Sequence, residues 1–322
     1  MSFSTDCKKE LSLLKPDRRC CLLSELGGLY ASMGSLNLLG GGRVSVQLSA
    51  ESMAVARRAY TLLVQGPRLT PQIHYVTNAR FGGKRRCVLT LGPKESPELL
   101  VALGMMRPDA AGGYALRATT PQLRLTRLCC ARAFVRGVFL GGGTAVSPEQ
   151  GYRLELPYRD EDVRKMLCKC LRRMGIDAAQ SQRRKKGYLY LSQSEQLVTL
   201  LSALGANAAV MRVEDLRVRR QVLGAVNRAM NCDNANLKKL MSASQRQLKA
   251  IDALAAGGGL ERLPDALRQI ALERLAHPDA TLEELGAALD PPLSKSAVNH
   301  RMRRLLALAP TSLTPDSQEE DP

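Results

Sequence analysis

Cys20-Cys21-Leu22-Leu23-Ser24-Glu25-Leu26-Gly27-Gly28-Leu29-Tyr30-Ala31-Ser32-Met33-Gly34 returns, 109 residues on, as Cys129-Cys130-Ala131-Arg132-Ala133-Phe134-Val135-Arg136-Gly137-Val138-Phe139-Leu140-Gly141-Gly142-Gly143. Cysteine doublet matches doublet, Gly28 matches Gly137, Gly34 matches Gly143, and the apolar positions agree in register. A helix repeated in this way implies two copies of one unit about an internal two-fold axis. Neither copy carries an acidic residue near its end.

The repeat extends beyond the helices. Arg43–Ser49 and Tyr152–Tyr158 alternate as half-buried strands do, again 109 residues apart. Each strand is followed by a helical run, 51–64 and 160–174. Each run is followed by a hairpin, pairing 72–77 with 86–91 and 178–183 with 188–191. A short helix then starts near Ser96 and near Ser194, both read as N-caps, and each ends at a Leu-Gly, at Gly104 and Gly205. The expected fold class is α+β: a duplicated α-β-α-β-β-α pseudo-dimer followed by an all-α domain. The tandem domain is expected over 1–210, with repeats at about 18–108 and 127–208. A helical connector with a turn near Cys232–Asn234 and a hinge at Gly257–Gly259 fills 211–259. The last ordered domain spans 260–309, and the acidic tail 310–322 is expected to be disordered.

The chain carries 47 Lys and Arg against 30 Asp and Glu, for a net charge of +17 and a pI near 9.8. The excess is uneven. Residues 1–243 hold 38 basic and 18 acidic residues, a net of +20, whereas 244–322 hold nine and twelve, a net of −3. Such a balance favours a polyanionic partner, and a two-fold scaffold suits double-stranded DNA. Lys84, Arg85 and Arg86 in the first hairpin and Arg183, Arg184, Lys185 and Lys186 in the second are the candidates for phosphate contact. No run of 18 apolar residues and no N-terminal hydrophobic core is present, so no membrane span is expected and the protein reads as cytoplasmic and nucleoid-associated. Nine cysteines without a CxxC pair read as reduced thiols. The doublets are expected to be packing residues rather than zinc ligands, because adjacent side chains on a helix point about 100° apart and chelate poorly. The glycine runs at 40–42 and 141–143 lack the context of a phosphate-binding loop, and no cofactor is expected.

Near the C-terminus, Pro264 opens a helix over 265–276, Thr281 caps a second over 282–289, and Ser294 caps a third over 295–309 across the turn Asp290-Pro291-Pro292-Leu293. This is the pattern of a helix-turn-helix. At 100° per residue, Val298, Met302, Leu305 and Ala309 share one stripe, the core face. Lys295, Ser296, Asn299, His300, Arg301, Arg303 and Arg304 fall on or beside the other face, where their donors and acceptors suit base edges and phosphates.

The doubled helix resembles the LAGLIDADG motif of homing endonucleases, through residues 26–34 and 135–143. That resemblance implies two helices packed at a pseudo-two-fold axis, flanking sheets forming a saddle over DNA, and a metal-binding acid in the next-to-last motif position. Those positions hold Met33 and Gly142. Neither can ligate Mg²⁺, so no catalytic residue is expected and the domain reads as catalytically inert. Glu25 lies two turns back and is a poor substitute.

The whole chain resembles the WhiA family. The likeness rests on Ser4-Thr5-Asp6-Cys7-Lys8-Lys9-Glu10-Leu11, the cysteine doublet, Arg212–Arg217, Val226–Arg228, Asn231–Asn236 and Ser294–Arg301. The resemblance implies a transcription regulator tied to cell division, chromosome segregation and, in spore-formers, sporulation, working with RNA polymerase holoenzyme. Thr281–Gly286 is similar to the part of sigma factors that reads the −35 element. Two alternatives are an N-terminal domain that serves mainly as a protein-interaction surface and, less favoured, an active nuclease. An internal pseudo-dimer implies a monomer.

Overall fold

A computed structural model of the chain describes residues 2–15, 18–77, 85–109, 113–183 and 186–309. The expectation of disorder for 310–322 falls outside these residues. The chain divides into two units, Met1–Arg220 and Gln221–Pro322.

In the first unit, α1 (Phe3–Ser12) starts at Ser2, whose hydroxyl accepts the Thr5 N–H, and buries Phe3, Cys7 and Leu11, spaced four apart. The first repeat follows as α2 (Arg19–Met33), β1 (Gly34–Gly40), β2 (Arg43–Ala50), α3 (Met53–Gln65), β3 (Gln72–Thr77), β4 (Arg85–Leu91) and α4 (Ser96–Ala102). A two-stranded ribbon, β5 (Met106–Pro108) with β6 (Tyr114–Leu116), leads into the second repeat. That repeat comprises α5 (Leu128–Gly142), β7 (Thr144–Ala145), β8 (Leu154–Tyr158), α6 (Glu161–Arg172), β9 (Ala179–Arg183), β10 (Lys186–Leu191) and α7 (Ser194–Leu204). Each repeat forms one antiparallel sheet, in the orders β1-β2-β4-β3 and β7-β8-β10-β9.

Each repeat is thus α-β-β-α-β-β-α, one strand richer than the alternation of the sequence suggests. The added strands are β1, mostly exposed in spite of Leu36, Leu38 and Leu39, and the two-residue β7. β1 turns into β2 through Gly40, Gly41 and Gly42, all left-handed, with φ of 83°, 57° and 71°. Three such residues in a row are cheap only for glycine, so the glycine run makes a hairpin turn. A second difference concerns Ser96 and Ser194, which are the first helical residues of α4 and α7 and not their caps. The buried Ser96 hydroxyl instead donates to the Leu91 carbonyl and accepts the Val46 N–H, tying α4 to β2 and β4.

Helices α2 and α5 form the centre of the unit. Both are 15 residues long, and each ends on a glycine whose N–H donates to the carbonyl four residues back. They run parallel and touch through backbone. A Cβ added to Gly28 would stand 2.1 Å from the Phe134 carbonyl oxygen, and one added to Gly137 would stand 2.1 Å from the Glu25 carbonyl oxygen. The inner sheet faces, including Val46, Leu48, Leu89, Leu156 and Leu189, complete a core shared by both repeats.

A single helix, α8 (Asn207–Ala256), runs for 50 residues, and the turn expected near Cys232–Asn234 is absent. Between Ala225 and Ala256 the chain has no glycine or proline, so nothing interrupts the i→i−4 ladder. Within the second unit, the last turns of α8 pack Ile251 into a core with Leu267 and Ile270 of α9 (Asp265–Ala276), Leu285 of α10 (Leu282–Ala288), and Val298, Met302 and Leu305 of α11 (Lys295–Ala307). Ala309, expected on the core stripe, lies beyond the end of α11 and is half-buried. Among the described residues, no helix is long and apolar enough to cross a membrane.

Candidate nucleic-acid interface

Parallel packing brings the C-terminal ends of α2 and α5 to the floor of one cleft of about 680 Å³. The floor carries Ser32, Met33, Gly141 and Gly142, and the walls carry Ser35, Ser49, Glu51, Arg86, Pro157, Arg159, Lys186 and Tyr188. Met33 is buried. A Cβ at position 142 would stand 2.9 Å from the Pro157 ring. Thus neither motif position presents an oxygen to the cleft, and Gly142 leaves little room for a longer side chain. Among the described residues three cations, Arg86, Arg159 and Lys186, face the space. Arg86 pairs with Glu51 at 2.9 Å, and Arg159 donates to the Ser32 carbonyl at 3.4 Å.

Glu25 is fully buried and serves a different purpose. Arg58 Nε and Nη2 donate to its two carboxylate oxygens at 2.6 and 2.9 Å, and Arg136 Nη1 donates at 3.1 Å. Arg58 also donates to the Leu14 carbonyl, and Arg136 donates to the Leu204 carbonyl at 2.8 Å. One carboxylate therefore links α2, α3 and α5 and, through its two arginines, the ends of α1 and α7. It is held by two guanidiniums, a poor arrangement for a metal ligand.

Strand alternation sorts the basic residues of the hairpins. On β4, Cys87, Leu89 and Leu91 face the core, so Arg86 faces outward and Arg85 points to the helix side, where it lies 4.7 Å from the Tyr75 ring. Sequence reasoning grouped the two, but only Arg86 lines the cleft. On β10, Lys186 faces outward with Tyr188 and Tyr190 and pairs in register with Arg183. Arg183 reaches Glu155 at 3.3 Å, which Arg153 also holds at 2.7 Å. Lys84, Arg184 and Lys185 lie outside the described residues. Arg159, Arg153 and Tyr188 were not singled out from the sequence. Arg159 follows directly on β8, and counting two residues at a time from Leu154 and Leu156 would have placed Arg153 and Glu155 on the outer face. Beside Arg86, the outer face of the first sheet offers Ser35, Asn37, Gln47, Gln72 and His74, groups that form hydrogen bonds.

In the second unit, α10 and α11 form a tight pair. Thr281 accepts the Glu284 N–H at 3.2 Å while the Glu284 carboxylate accepts the Thr281 N–H at 2.7 Å, a complete capping box. These bonds hold the Glu284 carboxyl below the usual range. Ser294 caps α11 by accepting the Ala297 N–H at 3.3 Å. The helices approach closely at Gly286, where a Cβ would stand 2.2 Å from the Leu293 carbonyl oxygen. Arg274, buried on α9, donates to the carbonyls of Pro278 at 3.3 Å and Ala280 at 2.5 Å, fixing the turn before α10. With Val298, Met302 and Leu305 committed to the core, Lys295, Ser296, His300, Arg303 and Arg304 are exposed, and Asn299 and Arg301 are half-buried. This is the distribution laid out from helical periodicity.

The cysteine doublets, read as separate packing residues, converge. The Sγ atoms of Cys20, Cys21, Cys129 and Cys130 all lie within 4.8 Å of one another, at the opposite end of α2 and α5 from the cleft.

Comparison with known proteins covers both units. Family models for the WhiA N-terminal LAGLIDADG-like domain, the WhiA LAGLIDADG-like domain and the WhiA C-terminal HTH domain match residues 19–106, 131–223 and 226–309. The probable cell division protein WhiA of Heliobacterium modesticaldum is 39% identical over 310 residues, covering 96% of each chain. That of Symbiobacterium thermophilum is 38% identical over 312 residues, covering 96% of this chain and 98% of the relative. The crystal structure of full-length DUF199/WhiA from Thermatoga maritima superposes with a TM-score of 0.60 at 26% identity, covering 96% of this chain and 98% of that one.

Proposed function

The chain belongs to the WhiA family, and from that premise we propose that it is a sequence-specific DNA-binding transcription regulator serving cell division, chromosome segregation and sporulation where the organism sporulates. The observation that carries this reading is the exposed face of α11. On a capped, well-packed helix it presents Ser296, Asn299, His300 and Arg303, side chains that bond base edges, with Lys295 and Arg304 placed for phosphates. The cleft between the two sheets supplies phosphate affinity through Arg86, Arg159 and Lys186. Met33 and Gly142 at the motif's acid positions support a domain that binds and does not cut. The chain acts as a monomer, because its internal repeat already provides a two-fold surface.

The reading includes contact with RNA polymerase holoenzyme, supported by the resemblance of Thr281–Gly286 to the −35 reader of sigma factors. Genome-wide mapping of bound DNA followed by footprinting tests the proposal. A defined site is expected, with preference at one or two base pairs relaxed by about 1–3 kcal/mol in Asn299→Ala or Arg303→Ala. Equal protection of all sequences by wild type would refute it, and protein pulled down with polymerase but leaving DNA unprotected would favour a pure interaction surface.

A further inference from the structure

We propose that Cys20, Cys21, Cys129 and Cys130 bind one zinc ion as a tetrathiolate site that clips together the N-terminal ends of α2 and α5. Among the described residues this is the one group of three or more His, Cys, Asp or Glu side chains gathered closely enough to hold a metal. A regular tetrahedron with Zn–S bonds of about 2.3 Å has edges of about 3.8 Å. The Cys20 and Cys21 Sγ atoms are 4.0 Å apart, and no pair of the four exceeds 4.8 Å. Sub-ångström side-chain movements therefore close the site. An iron–sulfur cluster must fit between its thiolates and needs them farther apart, so the spacing selects a single ion.

The objection that adjacent cysteines on a helix diverge is met by the symmetry. Each doublet flanks the seam between two parallel helices, and the point between them is reached from both sides. Two donors from each helix fill four coordination positions. Four sulfur donors, with no oxygen or nitrogen among them, favour zinc over magnesium or calcium. Both doublets lie in the first turn of their helices, where the positive dipole end favours thiolates. Binding Zn²⁺ releases four protons to solvent and leaves a complex of charge −2. A disulfide would need only two of the four sulfurs and does not explain why all four meet. Cys20 and Met33 are 13 residues apart on one helix, about 20 Å, so the clip is separate from the cleft. Its binding energy becomes stability of the paired helices.

The test uses the full-length protein, purified reduced and without chelators. Elemental analysis is expected to find one zinc per chain, retained in Cys168→Ser and Cys232→Ser and lost in Cys20→Ser/Cys129→Ser. Because the double variant can simply unfold, wild type is also stripped and titrated with Co²⁺ alone. Intense visible bands of tetrahedral, thiolate-bound cobalt at one ion per chain are expected, weakening as pH is lowered because protons compete for the thiolates. Weak octahedral cobalt bands, an iron–sulfur chromophore, or a disulfide joining the doublets in protein prepared without oxidant would each overturn the proposal.

Discussion

The two repeats of the first unit agree where backbone meets backbone and differ where side chains face solvent. Helices α2 and α5 have the same length, the same glycine stop and the same lack of room at Gly28 and Gly137, where an added Cβ would stand 2.1 Å from a facing carbonyl oxygen. The sheets above them have diverged. The first surrounds Arg86 with Ser35, Asn37, Gln47, Gln72 and His74, whereas the second surrounds Lys186 with Arg153, Glu155, Arg183 and Tyr188. The helix seam even carries one asymmetric device, for Glu25 occupies in α2 the place that Phe134 holds in α5. A scaffold retains its symmetry where the seam tolerates nothing else, and gives it up where a pseudo-two-fold partner can be read differently at its two ends.

The largest expected effect breaks this asymmetric device. Glu25→Gln leaves Arg58, almost wholly buried, without its counter-charge, and weakens the hold on Arg136. Removing one partner from a buried charged network costs about 4 kcal/mol. Chemical denaturation followed by far-ultraviolet circular dichroism measures it. A loss under about 1 kcal/mol, the value of an exposed pair, would show that the network does not hold the two repeats together.

Next in size are the matched glycines. Gly28→Ala and Gly137→Ala each press a methyl group into the opposite helix's backbone, and each is expected to cost about 3 kcal/mol. The two losses are expected to be equal within the error of the same denaturation experiment. Clearly unequal losses would show that the seam is not symmetric in energy, whatever its geometry.

These particulars also mark what was legible in the sequence. The paired helices were, because small residues recur at a fixed offset in both copies. The hairpins and the helix-turn-helix were, because alternation, caps and turn residues are local signals. β1 was missed because its alternation, Ser35-Leu36-Asn37-Leu38, is short and its leucines are half-buried or exposed, so no core face marks it. α8 was read as broken because Asn231, Asn234 and Asn236 favour turns, but those preferences are weak and no glycine or proline enforces them. Glu25 was legible as an acid but not in its role, since its partners lie 33 and 111 residues away. The convergence of the four thiols was not legible for the same reason. One helix alone does set two cysteines at a poor angle, and only the crossing of two helices makes the four converge.

The smallest expected effect sharpens the comparison at the surface. Arg86 and Lys186 occupy equivalent outward positions at the cleft, one on each sheet, and Arg86 shares its charge with Glu51 while Arg183 shares its own with Glu155. If both sheets meet the DNA backbone, Arg86→Ala and Lys186→Ala each lower the slope of log K against log salt by about 0.9, and the double variant by about 1.8. Sequence preference stays unchanged, because phosphates carry none. Fluorescence anisotropy across a salt series reads both quantities. A reduced slope for one variant alone would assign DNA contact to a single sheet and free the other for a protein partner. No change in either would remove the cleft from DNA binding and leave recognition to α11.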